Sequence, residues 1–421
     1  MRNVITAAAA LVILSASAQP QTTLTLSSPD GNNKIEFSKP GKELRYSVDY
    51  KGNPVILPSR AGLEIDNRVW EMALGKRDLA QPDSWMELLT VDSVSYGTTV
   101  DTVWTPLYGE RSTVRDHYNS GTLHLSRKDK SDYRLDVEVR AYDEGVTFRY
   151  FFPEHPAAIF HKVVGDLTDY TVPEGSKAFS EQWAQARFDV GPVDSISEPV
   201  ERALTLELPD GTWLAMLDAD VDDWCLTKFR ARADKPSTLE SVMYSPVDIV
   251  TYYATPWKII MTADTPGKLL ENNDIVANLN PHAEGDFTWV KPGKIMRCTK
   301  IDTEAGLRNI DFCAEHNIPY MLFDWLWYLP CTSHDGDATK VVDKLDMKRI
   351  VDYGKEKGVG VWLYVNQHAL MKQMDELFPL LSEWGIVGVK SGFVQYASHR
   401  WATWLHDCLL YTSDAADERS S

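Results

Sequence analysis

The sequence predicts two units of different class, a large antiparallel β-sandwich followed by an incomplete (β/α)8 TIM barrel, so the fold class is β plus α/β. Three observations support this prediction. The chain has 421 residues, more than a single ordinary hydrophobic core organises. Residues 22–275 read as short alternating strands broken by turn residues. The residues that follow alternate between short apolar runs and amphipathic helical patterns.

The first 18 residues have the pattern of a secretory signal peptide. Arg2 supplies the positive region, residues 4–14 the apolar stretch, and Ala16-Ser17-Ala18 a small-residue cleavage signal. The stretch is too short to span a bilayer, and no cysteine lies near the cut to carry a lipid, so a membrane anchor is not expected. We therefore expect an exported protein, located in the periplasm or outside the cell.

Residues 19–275 are predicted to form the N-terminal β-sandwich domain. Runs such as TLTLSSPDGNNKIEFS and ELRYSVDYKGNPVI alternate apolar and polar residues with a period of two. Asp-Gly and Lys-Gly-Asn-Pro segments interrupt them, which is typical of hairpins. Together they indicate a large antiparallel sandwich.

Residues 276–408 are predicted to form the first half of a barrel. The strand candidates are GKIMRCTK, IPYMLFDW, GVGVWLYVN and GIVGVKS, with helices expected near 303–316, 345–357, 370–384 and 400–410. Strands and helices that alternate at this spacing predict βα units and a parallel sheet.

Polar side chains fall where three of these strands end. Asp324 and Trp327 follow the second strand, Asn366 the third and Lys390 the fourth. In parallel sheets of this kind the chemistry lies at the carboxyl ends of the strands. We therefore predict a functional site at this edge of the sheet.

The C-terminal end of the sequence predicts an incomplete chain. Four βα units are half of an eight-fold barrel, and half a barrel would leave sheet edges and apolar helix faces exposed. The last residues, YTSDAADERSS, carry no strand signal and no apolar face. We interpret residues 409–421 as a non-native tail on a C-terminally truncated protein.

Charge and cysteine content narrow the class of partner. The formal net charge is −18, so nucleic acid is not expected as a partner, because its phosphates would be repelled. A neutral ligand fits this charge.

The chain has 14 Trp and 18 Tyr, which indicate either large cores or platforms that stack on sugar rings. The five cysteines are scattered without metal-ligand spacing and do not indicate a disulfide framework.

Three longer motifs resemble glycoside hydrolase family 97. They are TPLYGERSTVRDHYNSGTLHL (105–125), FTWVKPGK (287–294) and VKSGFV (389–394), and the resemblance covers residues 22–408. Membership would imply an exo-acting α-glucosidase or α-galactosidase with an N-terminal β-super-sandwich, a (β/α)8 barrel, a small C-terminal β-domain and calcium at the active site. An oligosaccharide substrate follows from the same resemblance.

The resemblance assigns roles to Gly392 and Asn366. Retaining members resemble VKxDF at the fourth strand, with the aspartate as nucleophile, whereas inverting members have glycine there, as VKSGF does. We expect Gly392 to leave room for the attacking water that inversion needs, although glycine could also merely let the backbone turn. Inverting members resemble HHET at the third strand, and YVNQ places Asn366, which cannot act as a base, at one of the two candidate base positions.

The same resemblance implies substrate contacts at the strand ends. FDWLWY lies where the family resembles DAGWY, so Asp324 would bond sugar hydroxyls and Trp327 would form a wall of the sugar subsite. Trp327 could instead be a core aromatic. Lys390 is expected to be buried and to reach a carboxylate or a sugar hydroxyl, or else to form a purely structural ion pair. Asp324, Trp327, Asn366 and Lys390 are the predicted substrate-binding residues.

The resemblance also implies one calcium ligand from the sandwich, within residues 178–203. Glu201 is our candidate, with Glu198 and Asp189 as alternatives. One carboxylate alone would bind calcium poorly. The other ligands, the general acid and the remaining base are expected beyond residue 408.

The predicted function is that of an inverting exo-α-glucosidase on α-glucan oligosaccharides, with this chain inactive by itself. An α-galactosidase of the same family is one alternative. A non-catalytic glycan-binding protein that uses the sandwich is another.

Overall fold

A computed structural model describes residues 22–66, 68, 85–129, 132–281, 287–395 and 397–417, with side chains described as far as Cys408 in the last helix. The predicted signal peptide, residues 1–18, lies outside the described residues. Of the predicted C-terminal tail, the backbone is described only for residues 409–417.

The N-terminal unit is built from short strands whose burial alternates residue by residue, as the period of two predicts. The strands, in chain order, are β1 (Thr23–Ser27), β2 (Asn33–Ser38), β3 (Leu44–Tyr50), β4 (Asn53–Ala61), β5 (Leu63–Ile65), β6 (Leu89–Tyr96), β7 (Val100–Trp104), β8 (Val114–Arg127), β9 (Arg134–Tyr142), β10 (Gly145–Phe152), β11 (Phe160–Asp166), β12 (Asp169–Thr171), β13 (Lys177–Ser180), β14 (Asp189–Pro192), β15 (Leu204–Glu207), β16 (Trp213–Ala219), β17 (Thr227–Ala231), β18 (Thr238–Met243), β19 (Val247–Val250), β20 (Tyr253–Ala254) and β21 (Trp257–Ala263).

These strands form three antiparallel sheets around one core. The first has the order β1-β2-β3-β4-β12-β18-β17, and the third has the order β19-β11-β5. The second has the order β14-β13-β15-β16-β21-β10-β9-β8-β6, with β20 paired to β10 and β7 to β8. Side chains from all three, among them Phe37, Phe148 and Val163, belong to a single buried cluster. The arrangement agrees with the predicted antiparallel sandwich.

Two short helices close one side of the second sheet. They are α1 (Pro266–Glu271) and α2 (Asp274–Leu279). Their buried residues Leu269, Ile275 and Leu279 pack with Tyr142 and Trp257 of the sheet. The apolar face that the second sheet turns away from the main core is thereby covered.

The C-terminal unit alternates strands and helices, as the sequence predicts. Its elements are β22 (Ile295–Cys298), α3 (Thr303–Glu315), β23 (Tyr320–Phe323), α4 (Met347–Lys357), β24 (Gly360–Asn366), α5 (Gln367–Trp384), β25 (Gly388–Gly392) and α6 (His399–Asp417). The four strands are parallel and neighbour one another in chain order. Helix α6 runs through residues 409–417 of the predicted tail, and the non-native origin of that tail stays a prediction.

Local chemistry fixes the ends of these helices. Asp302 caps α3 by accepting a hydrogen bond from the backbone N–H of Ala305, and Asp346 caps α4 in the same way. Helices α4 and α5 end at Gly358 and Gly385, whose positive φ angles of 73° and 83° favour glycine. Within the described part of the chain, no helix is both long enough and apolar enough to cross a membrane.

Helix α6 contacts the sandwich through a loop that follows β16. His399 Nε2 lies 2.6 Å from Asp223 Oδ1, and His406 Nε2 lies 3.3 Å from Asp222 Oδ2. The hydrogen bond with His399 holds the pKa of Asp223 below its usual range. The backbone N–H of Leu226 donates to the carbonyl of Ala397 at 2.8 Å. These contacts join the two units.

A buried histidine is expected to make the stability of the sandwich depend on pH. His161 is 2% exposed and is surrounded by the rings of Trp85, Phe152 and Tyr133, with Arg127 nearby. Burial, helped by the arginine, lowers the pKa of His161 to about 4. The unfolded chain therefore binds more protons between pH 6.5 and 4, so stability is highest above pH 6.5 and falls as the pH drops through that window.

We expect the free energy of unfolding to fall by about 3 kcal/mol from pH 7 to pH 4 on account of this one group. Urea unfolding at several pH values, followed by circular dichroism, measures the slope. His161→Phe removes the titrating ring and should flatten the slope even if the variant is less stable at every pH. An unchanged slope in that variant would show that other groups cause it.

Candidate active site

The carboxyl edge of the parallel sheet brings two of the predicted residues, Asp324 and Lys390, into contact. Cys298, Phe323 and Leu363 are in register on β22, β23 and β24, and they are buried in the core beneath the helices. Because side chains alternate along a strand, Arg297, one position before Cys298, lies on the opposite face. On β25, Lys390 is in register with Tyr364 of β24.

Asp324 is held between two cations at this edge. Lys390 Nζ lies 2.6 Å from Oδ1 and Arg297 Nε lies 2.8 Å from Oδ2. The structure confirms that Lys390 reaches a carboxylate, but its side chain is 48% exposed, not buried as expected. Arg297 was not among the predicted site residues. A charged residue inside the predicted strand GKIMRCTK was the signal that could have identified it.

The prediction that Trp327 forms a sugar-binding wall is wrong. Its side chain is fully buried, its ring packs against Tyr328 and Trp384, and its Nε1 donates to the carbonyl of Tyr364 at 2.6 Å. Leu326 has a φ of 59°, which turns the chain between the two tryptophans of FDWLWY. Trp325 is the exposed one of the pair, at 38%. The core interpretation of Trp327 is therefore correct.

The prediction that Asn366 binds substrate is also wrong, because its amide is already engaged. Asn366 is 3% exposed, and its Oδ1 accepts from the backbone N–H of His368 at 3.0 Å, which caps α5. Its Nδ2 donates to the hydroxyl of Tyr364 at 3.2 Å. This asparagine is a buried helix cap that fixes a neighbouring ring.

The space beside Gly392 is filled, contrary to our expectation of room for a water molecule. A Cβ atom at Gly392 would lie 1.8 Å from Cε2 of Tyr364 and 2.7 Å from its Cδ2 and Cζ atoms. Tyr364 is 3% exposed, and burial raises the pKa of its hydroxyl. The ring of Tyr364 therefore occupies the volume where a side chain at position 392 would begin.

The described residues do not make a calcium site. Glu201 Oε1 lies 2.7 Å from Lys228 Nζ, so a cation already neutralises the predicted ligand. The alternatives Glu198 and Asp189 line a cavity of about 110 Å³ beside Glu181. Across the described residues, no group of three or more His, Cys, Asp or Glu side chains could hold a metal ion. Calcium prefers about six to eight oxygen ligands.

Comparison with solved structures shows the same fold. A Glycoside Hydrolase Family 97 enzyme from Pseudoalteromonas sp. strain K8, in complex with acarbose, superposes with a TM-score of 0.80 at 21% identity. A beta-arabinopyranosidase superposes with a TM-score of 0.73 at 18% identity. In both cases the match covers 93% of this chain and 65% of the solved chain.

Curated relatives are similar in sequence over most of this chain. A retaining alpha-galactosidase of Bacteroides thetaiotaomicron is 24% identical over 91% of this chain and 62% of its own length. A probable retaining alpha-galactosidase of Streptomyces bingchenggensis is 21% identical over 66% of this chain and 45% of its own length. The chain thus spans less than two thirds of the length of these relatives.

Two family models match consecutive parts of the chain. Residues 26–281 match the model described as Glycosyl-hydrolase 97 N-terminal, and residues 291–419 match the model described as Glycoside hydrolase 97. The two matches follow the order of the sandwich and the parallel sheet and together cover most of the chain. The chain belongs to glycoside hydrolase family 97.

Proposed function

We propose that the protein is an exo-acting α-glycoside hydrolase that inverts the configuration of the anomeric carbon, with α-glucan oligosaccharides as substrates. Family membership supports a glycosidase. The complexes of the Pseudoalteromonas relative with acarbose and panose support an oligosaccharide ligand. We further propose that the four βα units are the first half of a (β/α)8 barrel, since their strands are parallel and sequential.

The glycine at position 392 is the observation that carries the proposal. A retaining glycosidase places a nucleophilic carboxylate about 5–5.5 Å from its acid, whereas an inverting enzyme uses a base and a water molecule. The family resemblance puts that nucleophile at position 392, where glycine supplies no carboxylate and the ring of Tyr364 fills the adjoining volume, so the attacking water must approach from elsewhere. Tyr364 does not replace it, because burial raises the pKa of its hydroxyl and keeps the phenol neutral.

In this mechanism a general acid protonates the leaving oxygen while a base activates water on the opposite face of the sugar. Asp324 would accept hydrogen bonds from sugar hydroxyls, and Lys390 and Arg297 would donate to them with the N–H groups that Asp324 does not use. The acid and the base are not assigned to described residues. Asn366, buried as a helix cap, takes neither role.

An α-galactosidase is the second candidate, because the two curated relatives are named retaining alpha-galactosidases. Their names favour galactose, and the stereochemistry in those names conflicts with the glycine at position 392. The sugar specificity and the stereochemistry of hydrolysis are therefore independent properties, and one experiment can measure both. The third candidate is not an enzyme but a non-catalytic glycan-binding protein.

The test uses a full-length protein that carries the general acid and base expected beyond residue 408, and it follows hydrolysis of 4-nitrophenyl α-glucoside and α-galactoside by proton NMR, which identifies the anomer released first. We expect the β-anomer, and faster release from the glucoside. Release of the α-anomer would contradict inversion, and faster release from the galactoside would favour the second candidate. If neither substrate is hydrolysed, calorimetric binding of maltotriose would favour the glycan-binding alternative, and its absence would contradict a role in α-glucan recognition.

Calcium dependence and export are further proposals. The family resemblance implies calcium, but Glu201, the candidate ligand among the described residues, is paired with Lys228. Location in the periplasm or outside the cell is proposed from the signal-peptide pattern of residues 1–18.

A further inference from the structure

Arg297 lies on β22, but its side chain is not part of the buried core, so packing does not explain its presence there. It is in register with Leu322, which pairs with Trp362, which in turn pairs with Gly388. This row lies on the face opposite the helix-covered core. The side chain of Arg297 is 57% exposed in this chain, on the face that would line the interior of the proposed barrel.

The guanidinium of Arg297 and the ammonium of Lys390 bind different oxygens of the Asp324 carboxylate. Nε of Arg297 lies 2.8 Å from Asp324 Oδ2, and Nζ of Lys390 lies 2.6 Å from Oδ1. Each carboxylate oxygen has its own cation, so rotation of the carboxylate would break at least one charge-assisted hydrogen bond. The three residues come from β22, β25 and the end of β23, and together they fix the carboxylate relative to the sheet.

Arg297 and Lys390 each keep N–H donors that Asp324 does not use and that are available to a ligand. A guanidinium has five N–H groups and an ammonium three, and one contact of each cation to Asp324 is short. Two cations and one carboxylate leave a local charge of about +1 in a chain whose net charge is −18. The site therefore presents a fixed acceptor flanked by donors, which suits the alternating hydroxyl oxygens of a sugar ring.

We propose that Arg297 is a positioning residue for sugar recognition: it holds the Asp324 carboxylate against Lys390 and orients both for hydroxyl groups of the glycoside. This inference rests on the proposed function, since it names how the same site binds its sugar. Lysine would supply the charge but not the planar fork of the guanidinium, so it replaces arginine incompletely.

The binding experiment measures the Kd of maltotriose and of melibiose by calorimetry for the full chain and three variants. R297Q should weaken the binding of whichever sugar the wild type prefers by about tenfold, since a charge-assisted contact is lost. R297K should recover only part of that loss. R349Q is the matched control, because Arg349 is also an exposed arginine, 3.2 Å from Glu304 on the outer helices, and it should bind as the wild type does. Wild-type affinity in R297Q would overturn the inference.

A second readout does not need a sugar. The side-chain carboxyl carbon of Asp324 is followed by carbon NMR, with D324N used to assign its resonance. R297Q should shift and broaden this resonance, and R349Q should leave it in place. If the wild type binds neither sugar, sugar recognition by these strands alone is contradicted, whereas the positioning of Asp324 is judged by this resonance alone. A resonance unchanged in R297Q would overturn it.

Discussion

Replacing Lys258 by methionine is expected to lower the free energy of unfolding by about 3–5 kcal/mol. Lys258 on β21 is 6% exposed and forms an ion pair with Asp166, which ends β11 and is 8% exposed. The pair therefore joins the second sheet to the third. Burial by itself lowers the pKa of Lys258, but Asp166, with Tyr170 and Tyr150, outweighs it and raises the pKa. Removing the ammonium leaves a buried carboxylate without its cation.

Urea unfolding at pH 7 measures this loss. The double variant K258M/D166N should recover most of the stability, because it leaves no buried charge uncompensated. K51M is the matched control: Lys51 lies 2.6 Å from Asp264, but both side chains are exposed, so the change should stay within about 1 kcal/mol. Equal losses in K258M and K51M would show that burial does not set the strength of the pair.

The sequence predicts the elements of this protein well because their signals are local. Period-two burial in β2 and β3 and the caps at Asp302 and Asp346 are set by residues close together in the chain. The pairing of Lys258 with Asp166 is different, since 92 residues separate the two and each alone looks like a surface residue in a strand. Such a contact depends on which sheets face each other.

The same distinction explains the outcome at the candidate site. The sequence predicts Lys390 and Asp324 because both lie near the carboxyl ends of strands, and these ends must meet at one edge of the sheet. Trp327 was misassigned because a positive φ at Leu326 decides which tryptophan turns into the core, and nothing in FDWLWY reports that angle. Asn366 was misassigned because capping α5 and binding a sugar call for the same side chain, and only burial separates the two roles.

Replacing Gly392 by aspartate would install a carboxylate where the family resemblance implies the nucleophile of retaining members, and it is expected to destabilise the protein by about 3 kcal/mol. The new Cβ would lie 1.8 Å from a ring carbon of Tyr364, so the ring must leave its place. That ring is held, because it is buried and its hydroxyl accepts a hydrogen bond from Asn366 Nδ2. The single variant should therefore not gain retaining chemistry.

A double-mutant cycle with Tyr364→Ala separates this steric conflict from a general cost of changing the strand. The cycle should show that G392D is tolerated better by at least about 1 kcal/mol once the ring is gone, since the two sites share one volume. G41D is the matched control, because nothing lies within 4 Å of a Cβ at Gly41. Additive losses would mean that Tyr364 yields freely and does not exclude a nucleophile. A positive coupling would instead mean that positions 364 and 392 determine the stereochemistry jointly. A relative with aspartate at the position of Gly392 must then have a displaced or shorter side chain at the position of Tyr364.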